Sequence, residues 1–269
     1  MTPILILVYL VVGAAAGLLA GLLGVGGGLV IVAALAWVLP QAGVPADRVM
    51  HVALATSLAS IVATSISSTR AHWRRGSVMW PSVAWLAPGL VLGGALGALL
   101  ADSLSSGVLR LGVAGFCFLA AWQLLARATP PDHGEGPVPR GGVLSAWGVL
   151  IGALSALVGI GGGSMTVPLL IGYGARPVRA VGTSAACGFA IAVASALGYV
   201  ASGHDAQGLP PGSIGYVYLP AAIGVALASV LAAPHGAALA HRLKGRHLQH
   251  LFAFFLALMG ASVLAAALV

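Results

Sequence analysis

Two glycine pentads carry the chemistry that this chain could do. Gly24-Val25-Gly26-Gly27-Gly28 recurs 135 residues later as Gly159-Ile160-Gly161-Gly162-Gly163. Four glycines in five residues cannot hold a helix, since each costs about 1 kcal/mol relative to Ala. Yet both pentads lie inside long apolar runs, and each precedes a short apolar segment. That order places Gly26–Gly28 and Gly161–Gly163 at or near helix N-termini. Unpaired N–H groups and the positive end of the helix dipole favour an anion there. Glycine also permits close backbone approach and the alternating conformations of an anion-binding nest. The plainer reading is a tight hairpin that holds no ligand, and the recurrence in both halves favours the site. The candidate substrate-binding residues of the turns are therefore Gly24, Gly26, Gly27, Gly28, Gly159, Gly161, Gly162 and Gly163. Ser164 joins them as a hydroxyl donor, or equally as a cap of the second short helix.

A second constellation is built from hydroxyls. Ala53-Leu54-Ala55-Thr56-Ser57 is answered by Ala180-Val181-Gly182-Thr183-Ser184, and the duplicated pairs Thr56-Ser57 and Thr183-Ser184 read as substrate-facing. Residues 49–69 hold eight Ser or Thr residues, and Thr56, Ser60, Thr64 and Ser68 recur every four residues as one polar stripe. The second half keeps part of it as Thr183, Cys187 and Ser195. Most of the stripe reads as bonding to i−4 carbonyls or as glue between helices.

Other chemistries lack their residues. All five acids (Asp47, Asp102, Asp132, Glu135, Asp205) fall in loops or at segment ends, and no His sits mid-segment. A buried carboxylate relay or a nucleophile–base pair has no support, so no catalytic residues are assigned. Cys117 and Cys187 stand alone in separate apolar segments, and His241, His247 and His250 read as interface residues. No metal or cofactor is expected. A dinucleotide fingerprint would need glycine where Leu29 and Ser164 stand.

Composition defines what must position these groups. Of 269 residues 59% are hydrophobic and 6% charged, against about 25% charged in ordinary soluble domains. Continuous apolar runs of helical length make this an all-α polytopic membrane protein. Apolar segments fall at 4–22, 29–39, 49–69, 78–100 and 108–126, then at 143–158, 163–173, 179–201, 214–232 and 248–268. Residues 1–126 and 143–269 form two transmembrane repeats, and the Pro- and Gly-rich stretch 127–142 links them. Pro88 is matched with Pro220. Met1-Thr2-Pro3 lacks the basic start of a signal peptide, so the first segment is retained. Gly13, Gly17 and Gly21, like Gly89, Gly93 and Gly97, have the spacing that lets helices pack closely. Trp73, Trp80, Trp122 and Trp147 lie near segment ends, as interfacial anchors do.

Charge sets the orientation. Arg70, Arg74 and Arg75 mark one loop, and Arg242, Lys244 and Arg246 another; both should be cytoplasmic. An even number of crossings between them requires the short segment 163–173 to count as one. The linker is then cytoplasmic with Arg127, Arg140, Arg176 and Arg179, only Arg48 and Arg110 lie outside, and both termini face outward. The positive charge therefore fixes topology and does not point to nucleic acid. Five crossings per half make the repeats inverted, with broken or re-entrant hairpins at the GxGGG motifs. A segment of about eleven residues spans roughly 17 Å at 1.5 Å per residue, against a hydrocarbon core about 30 Å thick. Each hairpin tip should therefore lie inside the membrane, where irregular backbone is buried in protein or lines a polar cavity.

GxGGG after an apolar helix in both halves, followed by A-x-[AG]-T-S, resembles the TauE/SafE sulfite exporter family over nearly the whole chain. The second copy continues Ser164-Met165-Thr166-Val167-Pro168 with the family's usual proline; the first has Ala33 there. The resemblance implies export of a small sulfur-containing anion, such as sulfite, sulfoacetate or a related organosulfonate, across a bacterial cytoplasmic membrane. The expected partners are that anion and the lipid bilayer, and the oligomeric state is left open. An anion channel with the same hairpins, or a non-transporting scaffold, are the alternatives.

Overall fold

The computed structural model describes residues 3–24, 27–126, 140–240 and 245–266. Val25, Gly26, linker residues 127–139, His241, Arg242 and Lys244 lie outside them, as do the side chains of Arg246, His247 and His250. Ten α-helices are described, one for each expected segment: α1 (Pro3–Leu23), α2 (Gly28–Val38), α3 (Val49–Trp73), α4 (Trp80–Asp102), α5 (Ser106–Ala126), α6 (Gly142–Val158), α7 (Gly163–Gly172), α8 (Pro177–Ser202), α9 (Leu219–Ala240) and α10 (Gly245–Ala265). Among the described residues six of these, α1, α3, α4, α5, α8 and α9, are long and apolar enough to cross a membrane. One segment starts later than expected. Pro210, Pro211, Gly212 and Gly215 cannot feed a helix, so residues before Leu219 form a small antiparallel hairpin, β1 (Ser213–Ile214) with β2 (Val217–Tyr218).

Helices α3 and α8 form the centre. They pack on each other, α3 also packs on α9 and α8 on α4, while α1 lies along α9 and α6 along α4. Large exposed apolar side chains, Leu92, Leu99, Leu227 and Leu231 among them, cover the outer faces of α4 and α9 as a lipid-facing surface would. Exposed Trp73 and Trp80 meet edge-on at the loop between α3 and α4, with ring centroids 6.1 Å apart.

The heaviest pairings cross between the two halves and recur in one register. Methyl groups on Gly13, Gly17 and Gly21 of α1 would run into the carbonyls of Val225, Ser229 and Ala233 on α9. Those on Gly89, Gly93 and Gly97 of α4 would run into Ser145, Val149 and Ala153 on α6. Both stripes thus let backbones touch, where lipid provides no hydrophobic drive and close contact must do so. Gly148 meets the Leu86 carbonyl as Gly13 meets that of Val225, and Gly152 meets Leu90 as Gly17 meets Ser229. Counting from Leu86 and Val225, the residue of α4 that matches Pro220 is Pro81. Both are the second residue of their helix, whereas Pro88 lies inside α4; the Pro88–Pro220 match is corrected accordingly.

Candidate functional site at the glycine turns

Both turns are built alike. Gly24 and Gly27 have φ of 67° and 68°, and Gly159 and Gly162 have 75° and 73°. These are left-handed values that only glycine adopts freely. Gly28 and Gly163 are the first residues of α2 and α7. The remaining constraint is space. A methyl on Gly27 would enter the Ala16 carbonyl, and one on Gly24 would lie 2.6 Å from the Val181 carbonyl oxygen. A methyl on Gly28 would strike the Gly159 carbonyl and lie 2.9 Å from Ile160 Cα, so the two turns touch. Gly161 sits against α8, its carbonyl oxygen 3.1 Å from where a Gly188 Cβ would stand.

The duplicated Thr–Ser pairs are buried where the turns meet α3 and α8. Ser57 Oγ donates to the Gly159 carbonyl at 2.8 Å, with the Gly28 carbonyl at 3.3 Å. Ser184 Oγ donates to the Gly24 carbonyl at 3.0 Å. Each serine therefore holds the glycine turn of the other half. The threonines act one residue away: Thr56 Oγ1 accepts from Tyr218 N–H at 3.0 Å and Thr183 Oγ1 from Met79 N–H at 2.9 Å. Tyr218 and Met79 are the residues just before α9 and α4, so each threonine anchors a helix start in the other half. The structure brings Ser57 and Ser184 to the turns and places Thr56 and Thr183 at those helix starts. The stripe continues as helix glue: Ser60 and Thr64 donate to the carbonyls four residues back, and Thr64 also bonds Ser229 Oγ on α9.

The turns differ in their donors. At α7 the hydrogen-bond ladder begins with Met165 and Thr166 N–H donating to Gly162 O at 3.1 and 2.8 Å. The N–H groups of Gly163 and Ser164 stand ahead of that ladder, as the first amides of a helix do. Among the described residues, the hydroxyls of Ser155 in α6 and of Ser164 and Thr166 in the first turn of α7 have no hydrogen-bond partner although buried. Ser155 and Thr166 are wholly buried, and Ser155 Oγ would lie 3.2 Å from a Cβ on Gly162, the residue ahead of α7. The corresponding positions of the first turn are Ala20, Leu29 and Ile31. There the buried hydroxyl is Ser68, also unpartnered, beside a cavity of about 10 Å³ bordered by Gly24 and Gly188, room for about one water. Sequence reasoning passed over Ser155 and Thr166. The signal was available: each is a hydroxyl within an apolar run where the other copy has Ala or Ile.

A groove of about 420 Å³ runs along α7, from Gly172 and Tyr173 at its end to Ser164 in its first turn. Gln123 of α5 and Trp147, Leu150 and Leu154 of α6 form its other walls. The equivalent place in the first half is filled, because α10 lies on α2. Trp37 Nε1 donates there to Ser262 Oγ at 2.9 Å and reaches the Ser262 carbonyl at 3.2 Å.

A separate polar chain ties loops together: Arg48 donates to Tyr216 Oη at 2.6 Å, and Tyr216 donates to Asp102 Oδ1 at 2.7 Å. Burial, then the Asp102 carboxylate, pushes the Tyr216 hydroxyl up to about 12, so it keeps the proton it donates. Cys117 and Cys187 are free and buried. Among the described residues no three His, Cys, Asp or Glu side chains cluster as metal ligands would.

Comparison with known proteins agrees with this architecture. The profile of the sulfite exporter TauE/SafE family matches residues 9–263. A probable membrane transporter protein of Haemophilus influenzae is 36% identical over 93% of this chain and 95% of its own. One from Methanocaldococcus jannaschii is 26% identical over 97% and 96%, and YunE of Bacillus subtilis, likewise a probable membrane transporter protein, is 28% identical over 73% and 79%. No solved structure matches.

Proposed function

This multi-pass membrane protein belongs to the sulfite exporter TauE/SafE family, and from that premise we propose that it exports a small sulfur-containing anion, sulfite or an organosulfonate, by alternating access across the cell membrane. One observation carries the reading. Helix-start N–H groups of α7 stand in a stretch with three buried hydroxyls without partners, Ser155 near the end of α6 and Ser164 and Thr166 in the first turn of α7, next to the place where the two turns meet. Buried hydroxyls are normally bonded, and an oxyanion supplies the acceptors these lack. Gly161, Gly162, Gly163 and Ser164 would contact the anion. Ser57 and Ser184 hold the turns in place, with Gly24, Gly27 and Gly28 forming the opposing wall.

The repeated register of α1 on α9 and α6 on α4 supports two related repeats, and the basic loops support their inversion, with a cytoplasmic linker and both termini outside. In that orientation energetics favour export. An inside-negative potential of about 100 mV drives a monoanion outward by about 2.3 kcal/mol, so no coupling ion is needed. In proteoliposomes, sulfite or sulfoacetate efflux should rise with the imposed potential and saturate with substrate. Efflux indifferent to voltage and dependent on a pH gradient would overturn uniport. The close contact of Gly28 with Gly159 and Ile160 favours a carrier over an open channel, and ohmic single-channel currents would reverse that choice.

A further inference from the structure

We propose that the groove along α7 is the anion's access path to the α7 turn, and that the Trp37–Ser262 contact is the closed gate on the symmetry-related path. The inference rests on the transport reading but concerns the route. Pairing the two halves turn by turn, Gly172 stands where Trp37 stands in the other half. Gln123 on α5 and Ser262 on α10 occupy the same position along their helices. In the first half the indole of Trp37 bonds Ser262 and α10 covers α2. In the second half glycine replaces the indole, and a groove of about 420 Å³ takes its place. One pair of related interfaces is thus shut and the other open, as a single state of an alternating device would be.

The open groove has its polar groups at its two ends, Gln123 and Tyr173 at one and Ser164 at the other, with apolar walls between. Its volume lies within the range of small-molecule sites, roughly 300–1,000 Å³. Its inner end is bordered by Ser164 and Met165 in the first turn of α7, and the Ser164 hydroxyl itself is buried without a partner. Its outer end is bordered by Gln123 and Tyr173, which give an anion a polar mouth. Transport then consists of exchanging the two conditions: α5 closes on α7, and α10 with Ser262 leaves Trp37.

The substitution Gly172→Trp tests this by giving the second half the plug of the first. A Cβ at Gly172 meets nothing within 4 Å, so the variant should fold; Gly172→Met is the smaller plug. Two readouts are needed, in the full chain reconstituted in vesicles. One is radiolabelled sulfite and sulfoacetate efflux. The other is the rate at which a membrane-impermeant maleimide modifies Met165→Cys, introduced in the groove. That rate reports water access without any substrate, against the buried Cys117 and Cys187. Gly172→Trp should slow both by about tenfold or more, with the melting temperature unchanged. Trp37→Gly should make Val30→Cys, the matching position of the first half, reactive from the opposite face.

Slowed labelling with undiminished efflux would show that water enters the groove but the anion does not, and would overturn the proposal. Absent labelling of Met165→Cys in the otherwise unaltered chain would show a groove filled by lipid chains, and would overturn it too. If the unaltered chain moves neither anion, the transport reading fails, while the labelling still reports whether the two grooves open in turn.

Discussion

At the turn between α1 and α2 the glycines are surrounded by Ala20, Leu29 and Ile31; at the turn between α6 and α7 the same positions are Ser155, Ser164 and Thr166. The described left-handed glycines, Gly24 and Gly27 against Gly159 and Gly162, hardly differ, with φ within about ten degrees of one another. Each turn is also held by a serine from the opposite half. What differs is what lies beside the amides. The matching positions of the first turn are apolar and leave Ser68 as the unpartnered hydroxyl beside it, while the second keeps three, each costing about 1–3 kcal/mol if nothing bonds it. We read that imbalance, with the apolar solution available at the first turn, as the mark of a ligand at the second. On the transport reading proposed above, the duplicated backbone would supply the geometry of a crossing point, and the unequal side chains would decide which side of it binds.

The largest effect should come from adding a methyl to the left-handed glycines, and it should differ between the turns. In Gly27→Ala the new methyl enters the Ala16 carbonyl, a backbone atom that cannot move alone. In Gly162→Ala it meets Ile191 Cδ1, the end of a flexible side chain. Both pay the left-handed penalty of about 1–2 kcal/mol. Gly27→Ala should yield no monodisperse protein on gel filtration in detergent, whereas Gly162→Ala should fold with a lowered melting temperature. Equal loss in both would mean that packing around the two turns is equally rigid, and the comparison would have to rest on hydroxyls alone.

A smaller and symmetrical effect is expected from the serines. Ser57→Ala leaves the Gly159 carbonyl without its donor, and Ser184→Ala does the same to Gly24. Each should cost about 1–3 kcal/mol, the desolvation of a buried acceptor, with the two losses matching. Urea or thermal unfolding of the pair measures this. If one variant is silent, the reciprocal clips are equal in geometry but not in strain, and the asymmetry extends to the scaffold.

Much of this was legible in the residues. Glycine density located both turns because backbone strain there admits no other residue. The run lengths gave ten helices because apolar periods of that length have no alternative in a membrane. The Thr–Ser pairs read in the sequence as facing substrate; in the structure their hydroxyls bond carbonyls and amides of the opposite half. Sequence cannot distinguish these uses, because a hydroxyl that clips a turn and one that binds an anion are equally polar in an apolar run. Partners from the other half are invisible until the halves interlock. Ser155 and Thr166 were missed for the opposite reason: each is a lone hydroxyl with no motif, and its meaning appears only beside Ala20 and Ile31. The Pro88–Pro220 match failed because α4 has two prolines, and only helix register chooses Pro81.

The effect smallest in stability bears most directly on the comparison. Thr166→Val replaces a wholly buried, unpartnered hydroxyl with a methyl of similar shape, so folding should be unchanged or slightly favoured. Ser155→Ala should behave alike. If these hydroxyls donate to an oxyanion, each loses a hydrogen bond to a charged group, about 1.5–3 kcal/mol, and affinity falls roughly tenfold to a hundredfold. Sulfite binding followed by thermal shift, together with the half-saturation of efflux, would show it. The mirror substitution Ile31→Thr places a hydroxyl at the matching site of the first turn, where it should lower stability and leave affinity untouched. Should Thr166→Val and Ile31→Thr move binding equally, both turns share the anion; should Thr166→Val raise stability with binding intact, its hydroxyl serves no ligand and the asymmetry is one of packing.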